Sequence, residues 1–487
     1  MAPDSLGPSN ATAQKRILII GAGPVGLGTL KVFADTPEVQ AGTWSLTTYE
    51  ARDDIGGIWL PAPAEGNPPL TALYDSLFTN LPHQIMAYPS FPFPPETPLY
   101  PSAPIIRDYL TAYTTKFGLR RYIRFNSRVA EARWDANAWQ VRLTSGETST
   151  FDFVVVANGH YRTPRYPNTP GLQAWFDSGR AIHSAWYRRP RELAAHHKIV
   201  VVGNGPSALD ISAELRSVAQ VVHSIPPGPV IAGNFGYAPD AEGYTKKGRI
   251  AEYRENGDVL FEDGTVETGV DFAVVGTGYK IDLSLLPQVV EGLPPRAPTL
   301  PDHLHNSTFH IYPLAKHLFP LQKDFPAHTL AFPGLPFRAS PFALSEEQAL
   351  ALVRVVEEPA ALDVQEEAQK IVKRYGEIAK LGGSDDPEVI ARWWFVFEQK
   401  EPFEYRKELH EFAKPGSVWE ANEKEVELWL RKVELRSAWR EALRRGEGGE
   451  LVKGVGKGGQ QEWDDLSLKL LKRYDEGDLK IETVREA

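Results

Sequence analysis

The apolar run Ile17 to Ile20 in RILIIGAGPVGLGTLKVF gives way to a glycine turn and then to an amphipathic stretch. A short apolar run of this kind reads as a buried strand, and strand, turn and helix then come in the order of a dinucleotide site. The same order opens again at KIVVVGNGPSALDISAEL, from Lys198. The two openings stand roughly 180 residues apart, about one domain of chain. Both halves also close alike. The alternating strands of RVAEARWDANAWQVRLTSGETSTFDFVVVANGH end on Ala157-Asn158-Gly159, and those of IAEYRENGDVLFEDGTVETGVDFAVVGTGY end on Gly276-Thr277-Gly278. This is a diverged internal repeat. It predicts an α/β chain with two Rossmann-like, three-layer dinucleotide-binding domains, the second inserted in the first. The expected divisions are a flexible N-terminus over 1–14, a first domain over 15–175 that resumes at 281–345, a second over 176–280, and a helical C-terminal region over 346–487.

PAPAEGNPPL (61–70) and YPSFPFPPETPLYPSAP (88–104) are too rich in proline for helix or central strand, so they predict ordered loops over the first domain. From Ser345 the pattern turns helical. Ser345 with Gln348 has the spacing of a capping box, and Val426, Trp429, Leu430 and Val433 fall on one helix face. GEGGELVKGVGKGGQQ (446–461) reads as a flexible linker to a last charged helix. Trp393, Trp394, Phe395 and Phe397 read as a helical core stripe rather than a substrate wall.

In Gly21-Ala-Gly23-Pro24-Val-Gly26, Gly21 permits the tight turn, Gly23 lets the backbone approach a pyrophosphate, and Gly26 lets helix and strand pack closely. The helix N-terminus supplies free amides and a partial positive charge. A second strand, TWSLTTYE, ends in Glu50, where a ribose-binding carboxylate belongs; a solvated strand end is its plain alternative. At the second turn, Gly203-Asn-Gly205-Pro-Ser207-Ala208, alanine replaces the third glycine, a tolerated variant. The strand after that helix ends in His223, Ser224 and Ile225 with no acid, which favours NADP over NAD because a carboxylate would repel a 2′-phosphate. Lys246, Lys247 and Arg249 are candidate phosphate contacts or, equally, a solvated basic turn.

Composition narrows what two nucleotide sites serve. The chain of 487 residues has no cysteine, which excludes disulfides, thiolate metal sites and a redox dithiol, and with them the disulfide reductases. The twelve histidines include no HExxH-type pair, so no metal is expected. A net charge of -10 gives no reason to bind nucleic acid. No apolar run reaches membrane-spanning length, and the polar start MAPDSLGPSNATAQK lacks the core of a signal peptide, so a cytoplasmic protein is expected.

GAGPVG, YEARDDIGGIW, LYDSLFTNLPHQIMAYPSFPFP, PNTPGLQAWFDSGRAIHSAWYRRP, VVVGNGPSALDIS and VVGTGYKID follow one another in the order found in flavin-containing monooxygenases, which the chain resembles from about residue 16 to about residue 350. PFALSEEQA is similar to fungal members in particular. The resemblance implies FAD and NADPH as cofactors, a small-molecule substrate and O2 as partners, and leaves a homo-oligomer open. It implies oxygenation of a soft nucleophile, an amine nitrogen or a thioether sulfur, through a flavin hydroperoxide. It makes Glu50 the FAD ribose ligand, Gly57, Ile58 and Trp59 the turn beside the flavin, and Thr79, Asn80 and Leu81 the junction of flavin and nicotinamide, with Asn80 at the reactive edge. Ser207, Ala208, Asp210 and Ser224 become NADP contacts, as do Ser184 and Tyr187 of the family fingerprint. His183 in that fingerprint is expected to order the interdomain linker rather than to catalyse. The fingerprint's phenylalanine, Phe176, stands one residue early, and the arginine usual near Ile225 is missing. Alternatives are a Baeyer–Villiger ketone oxygenase, a substrate-specific N-hydroxylase, and a non-catalytic nucleotide-binding scaffold.

Overall fold

In the computed structural model, which describes residues 15–225, 243–296 and 299–479, the apolar runs become central strands. The stretch 1–14, read above as flexible, lies outside the described residues. In chain order, the elements that frame the site are β1 (Lys15–Ile20), α1 (Pro24–Ala34), β2 (Trp44–Tyr49), β3 (Ile123–Arg124), β4 (Phe153–Val156) and β5 (Thr163–Pro164). They continue with β6 (Ala181–His183), β7 (Lys198–Val202), α2 (Pro206–Leu215), β8 (Gln220–Ser224) and β9 (Tyr244–Lys247). Then come β10 (Phe272–Val275), β11 (Tyr279–Lys280), β12 (Leu330–Ala331), α3 (Pro341–Glu357), α4 (Lys432–Arg444) and α5 (Gln460–Asp475).

The first sheet runs β12-β4-β1-β2-β3, all parallel. Ile17, Leu18 and Ile19 have no solvent exposure, as a strand covered on both faces requires. The second sheet runs β9-β8-β7-β10-β6, again all parallel. Each unit carries a three-stranded antiparallel meander, over 129–151 and over 250–267. The internal repeat is therefore structural. Because β12 joins the first sheet only after the second sheet is complete, the second unit is inserted in the first. Helices follow from α3 onward. Among the described residues no helix is long and apolar enough to cross a membrane, and no histidine–carboxylate cluster could hold a metal.

Three expectations about the C-terminal half are corrected. The helix α3 starts at Pro341 behind Ser340, so Ser345 and Gln348 are interior residues and not a capping box. Pro341 at the first helical position sets the start four residues earlier. There the Ser345 hydroxyl donates to the Phe342 carbonyl, and Gln348 accepts from the Gly334 amide at 2.8 Å. The stretch 446–461 is not a tether. It contains a helix over Gly448–Val452, and its turn is held by Glu96, whose amide donates to Val455 and whose carboxylate accepts from Gly454 and pairs with Lys457. The positive φ of Gly454, Gly456 and Gly459 serves tight reversals here, not flexibility. Finally, Trp394, Phe395 and Phe397 are core, but they follow the helix Pro387–Trp393 as an extended return in which the backbone of Phe337 bonds Phe395 and Phe397.

Candidate functional site

Both glycine turns sit where a parallel strand hands over to a helix, at the carboxyl ends of the central strands. In the first, Gly21 has φ +104, and a Cβ there would lie 2.6 Å from the Ala157 carbonyl oxygen; only glycine fits. A Cβ on Gly26 would reach 2.0 Å from the Gly21 oxygen, which explains the third glycine as a contact between turn and helix. Gly23 faces Gly57: a Cβ on Gly57 would lie 2.9 Å from the Gly23 Cα. Two bare backbones therefore meet at the start of α1, whose N-cap Gly23 carries no side-chain cap. The first amides of that helix stay available to an anion.

Glu50 is buried and tied to this turn. Its carboxylate accepts from the Ala22 amide at 2.7 Å and the Arg52 amide at 2.8 Å. A carboxylate has about four acceptor positions, so two remain for hydroxyls. Arg52 in turn donates to the carbonyls of Gly57, Leu60 and Pro61, and so fixes the turn that carries Ile58 and Trp59. Arg52 escaped the sequence reading; a basic residue two positions past a strand-end acid was the available signal.

The second turn repeats the frame with different chemistry. Gly203 has φ +132, and its Cβ would lie 2.3 Å from the Gly276 carbonyl oxygen. Ala208 is fully buried, and its methyl approaches the places where Gly203 and Gly276 would carry a Cβ, so Gly276 makes room for the alanine in the third position. Beyond Gly205, the N-cap of α2, no atom of the described residues lies within 4 Å of a Cβ position, and no side chain among them caps the helix. The Oδ1 of Asn204 beside it is buried and has no partner among the described residues. These are the features of a backbone cradle for phosphate. His223, read in the sequence only as part of a strand end, holds the cradle. Its Nε2 bonds the Gly203 carbonyl and its Nδ1 the Tyr244 hydroxyl, each at 2.9 Å. A carbonyl only accepts, so the proton sits on Nε2 and Tyr244 donates to Nδ1. Burial lowers the ring's pKa to about 4, so it is neutral at pH 7.

The two turns open on one seam. Ala157 touches the first and Gly276 the second, and the chain leaving each pairs with the other: β11 runs antiparallel to β5, Tyr279 opposite Pro164 and Lys280 opposite Thr163. An aromatic row follows this seam. His160 lies 5.2 Å from Phe337, Tyr161 lies 6.1 Å from Tyr279, and His183 lies 5.4 Å from Tyr279. Burial lowers both histidines to about 4. His183 accepts from the Ala185 amide at 3.1 Å, as a residue ordering the linker would. Ser184 is buried beside Tyr279.

Asn80 is exposed, and its side chain makes no hydrogen bond among the described residues. Its neighbours are anchored: the Thr79 hydroxyl donates to the Leu81 carbonyl at 2.8 Å, the Thr79 amide donates to Pro101, and Leu81 is core. A fixed loop thus presents an unspent amide. Other residues expected at the NADP site are bonded within the protein. Asp210 accepts from the Tyr74 hydroxyl at 2.7 Å, the Tyr187 hydroxyl donates to Glu214 at 2.7 Å, and the Ser224 hydroxyl donates to Gly248 at 2.9 Å. Phe176 packs on the core of the second unit.

A flavin-binding monooxygenase-like family model matches residues 14–237. The thiol-specific monooxygenase of Saccharomyces cerevisiae is 32% identical over 354 residues, 70% of this chain and 77% of that protein. The chain belongs to the flavin-containing monooxygenase family. Another relative, flavin-containing monooxygenase FMO GS-OX5 of Arabidopsis thaliana, is 30% identical over 292 residues, 55% of this chain and 61% of its own. Among solved structures, S-allyl-L-cysteine S-oxygenase from Allium sativum matches with a TM-score of 0.69 and 25% identity, over 96% of this chain and 99% of that one. This flavin-containing monooxygenase uses FAD and NADPH, and both turns suit them. Each pairs a strained glycine with a helix start that has no side-chain cap.

Proposed function

We propose that the chain oxygenates a soft nucleophilic atom of a small molecule, sulfur in the first place and amine nitrogen in the second. The observation that carries this reading is the seam. Strands β5 and β11 join the segments that leave the two nucleotide turns, so cofactors held there face one crevice. Sulfur is favoured by two relatives, one named a thiol-specific monooxygenase and one an S-oxygenase.

On this reading the Gly21–Gly26 turn and Glu50 hold FAD, with Ile58 and Trp59 beside the flavin. The Gly203–Ala208 turn would hold NADPH, the source of reducing hydride. Bound FAD, once reduced, supplies the activation of O2: one oxygen atom goes to the substrate and the other leaves as water, with NADPH and a proton as reductant. The protein's part is orientation and exclusion of water. Asn80 presents an uncharged amide, donor and acceptor at once, to the reacting edge. His160 and His183 stay neutral at pH 7 and bring no charge to the crevice. The protein works in the cytoplasm on this reading.

The test is product chemistry. Purified enzyme with NADPH and O2 is offered a thiol, a thioether, a tertiary amine and a cyclic ketone, and products are identified by mass. Sulfur oxygenation is the expected result, with amine N-oxide second. An ester from the ketone with no sulfur product would overturn the reading in favour of Baeyer–Villiger chemistry, and NADPH oxidation without flavin bound would overturn it altogether.

A further inference from the structure

One polar junction in the molecule takes no part in the site described above, yet it touches both halves of it. Helix α2, whose N-terminus forms the second cradle, carries Asp210 and Glu214 one turn apart. The loop that runs on to Asn80 is bonded to both. Tyr74 donates to Asp210 at 2.7 Å, and the Ser76 hydroxyl bonds Glu214. Tyr187, from the linker between the units, donates to the same Glu214 at 2.7 Å, and its ring meets that of Tyr74 edge-on at 6.0 Å. Tyr74 and Tyr187 are both buried, and burial together with the neighbouring carboxylates raises both phenols, so each remains a proton donor.

The third participant comes from the far end of the chain. Helix α4 brings Arg436 to 4.0 Å and Arg440 to 3.5 Å from Asp210. Arg436 is 7% exposed, Arg440 much more open. A buried guanidinium is placed at a cost in desolvation, which a fixed carboxylate helps to offset. The same helix is tied to the first unit, where the Tyr100 hydroxyl donates to the Lys432 carbonyl at 3.4 Å. Helix α5, packed against α4, closes the other side. Trp463 stands edge-on to His83 at 4.3 Å, and Gln84 donates to Ser467 at 2.6 Å, three and four residues past Asn80.

We infer that Asp210 and Arg436 are positioning residues that couple the NADP helix to the Asn80 loop, and that helices α4 and α5 serve the oxygenation by holding this joint. The inference rests on the reading of α2 as the NADP helix. Asp210 touches no phosphate in this scheme; a second anion there would be repelled. Its carboxylate receives Tyr74 from the loop and the arginines from α4, so any displacement of α2 is passed to the loop that presents Asn80. The joint keeps oxidised coenzyme and amide in register after hydride has left.

The test uses the full-length flavin-loaded enzyme and four variants: Arg436→Met, which keeps the stem and removes the buried charge, Arg436→Lys, Asp210→Asn and Tyr74→Phe. Four quantities are read: flavin per chain, the rate of flavin reduction by dithionite, the dissociation constant of NADP+, and hydrogen peroxide released per NADPH oxidised. Flavin content and dithionite reduction should match the parent. In Arg436→Met and Asp210→Asn the NADP+ constant should rise about tenfold, as loss of one charged contact implies, and peroxide release should rise with it. Arg436→Lys should restore part of both, and Tyr74→Phe should show a smaller loss in the same direction. Flavin-loaded Arg436→Met or Asp210→Asn with parental NADP+ affinity and coupling would overturn the inference; so would losses that merely track lost flavin. Gly205→Val separates the two levels. If it leaves NADPH turnover intact, the NADP helix was misplaced; if it abolishes NADP+ binding while the joint variants behave as parent, the inference alone is wrong.

Discussion

The two nucleotide units use one frame and differ in the residue near the end of the second strand whose side chain meets the glycine turn. In the first unit that residue is Glu50, which accepts from the Ala22 amide. In the second it is His223, which donates to the Gly203 carbonyl. Both contacts fix a turn between strand and helix. One leaves a carboxylate with acceptor positions to spare, suited to the two hydroxyls of an unphosphorylated ribose. The other reaches its turn with a neutral ring from two residues earlier in register, and Ile225, which stands where Glu50 does, brings no negative charge against a 2′-phosphate. On the proposed function, the repeat serves two different dinucleotides through this difference near the strand end, while the positive-φ glycines, Gly21 and Gly203, stay alike.

The largest effect should come from closing one cradle and sparing the other. Gly23→Val puts a branched side chain where Gly23 and Gly57 meet and where the pyrophosphate approaches. The purified variant should be colourless, with flavin per chain near zero by absorbance and with the thermal transition of the second unit retained. Flavin still bound at about one per chain would show that the two turns had been assigned the wrong way round.

A substitution at the seam should leave both cradles filled and break only what they do together. In Asn80→Leu the size is kept and every hydrogen bond is lost. Flavin should bind and NADPH should reduce it at the parental rate, while most of the NADPH consumed ends as hydrogen peroxide instead of oxygenated product. Peroxide and product measured side by side decide the matter. Parental coupling would remove Asn80 from the site.

Acid sharpens the contrast between the two turns. His223 folds as the neutral form, its pKa lowered by burial to about 4 against 6.5 in the unfolded chain. A group depressed in this way stabilises the fold fully above pH 6.5, and that contribution is lost as pH falls toward 4; protonation at the bottom of this window costs about 3 kcal/mol. His183 adds a second loss of the same sign in the same window. Unfolding midpoints should therefore be flat above pH 7 and fall between pH 6.5 and 4. His223→Gln keeps a donor toward Gly203 without a titrating ring, so its midpoint should fall less steeply. An equal slope in variant and parent would remove His223 as the source.

How much of this was legible in the sequence follows from what each residue must do alone. Gly21, Gly26 and Gly203 were readable because their backbone conformation and close approaches admit no side chain, a constraint that leaves its mark on the letter itself. Glu50 was readable because a strand end fixes its distance along the chain from the turn. His223 was not, since a histidine in an apolar strand looks like any core residue until Gly203 and Tyr244 are placed beside it. The joint of Tyr74, Asp210 and Arg436 was out of reach for the same reason at longer range, because its members come from three separated segments. The C-terminal misreadings had another cause. Glycines at 454, 456 and 459 suit a tether and a tight turn equally, and only the contact with Glu96 chooses.

The smallest effect concerns the coenzyme's 2′-phosphate. The absence of an acid at the end of β8 permits NADPH, but permission supplies no attraction, and the cations nearby are engaged. Lys247 pairs with Glu267 at 3.4 Å between half-buried side chains, and Arg249 pairs with Glu262 at 3.5 Å at an exposed edge. A phosphate must compete for them, and pairs still in contact with solvent are worth about 1 kcal/mol or less. NADPH should therefore be preferred over NADH by only about fivefold to tenfold in kcat/KM, the equivalent of that energy. The preference should shrink in Lys247→Ala and grow in Glu267→Gln, which releases the lysine without removing it. It should also fall as salt is raised toward 0.5 M, because screening acts on exposed charges first. If neither substitution nor salt moves the ratio, Lys247 is a surface charge, and the 2′-phosphate is read by residues other than this cluster.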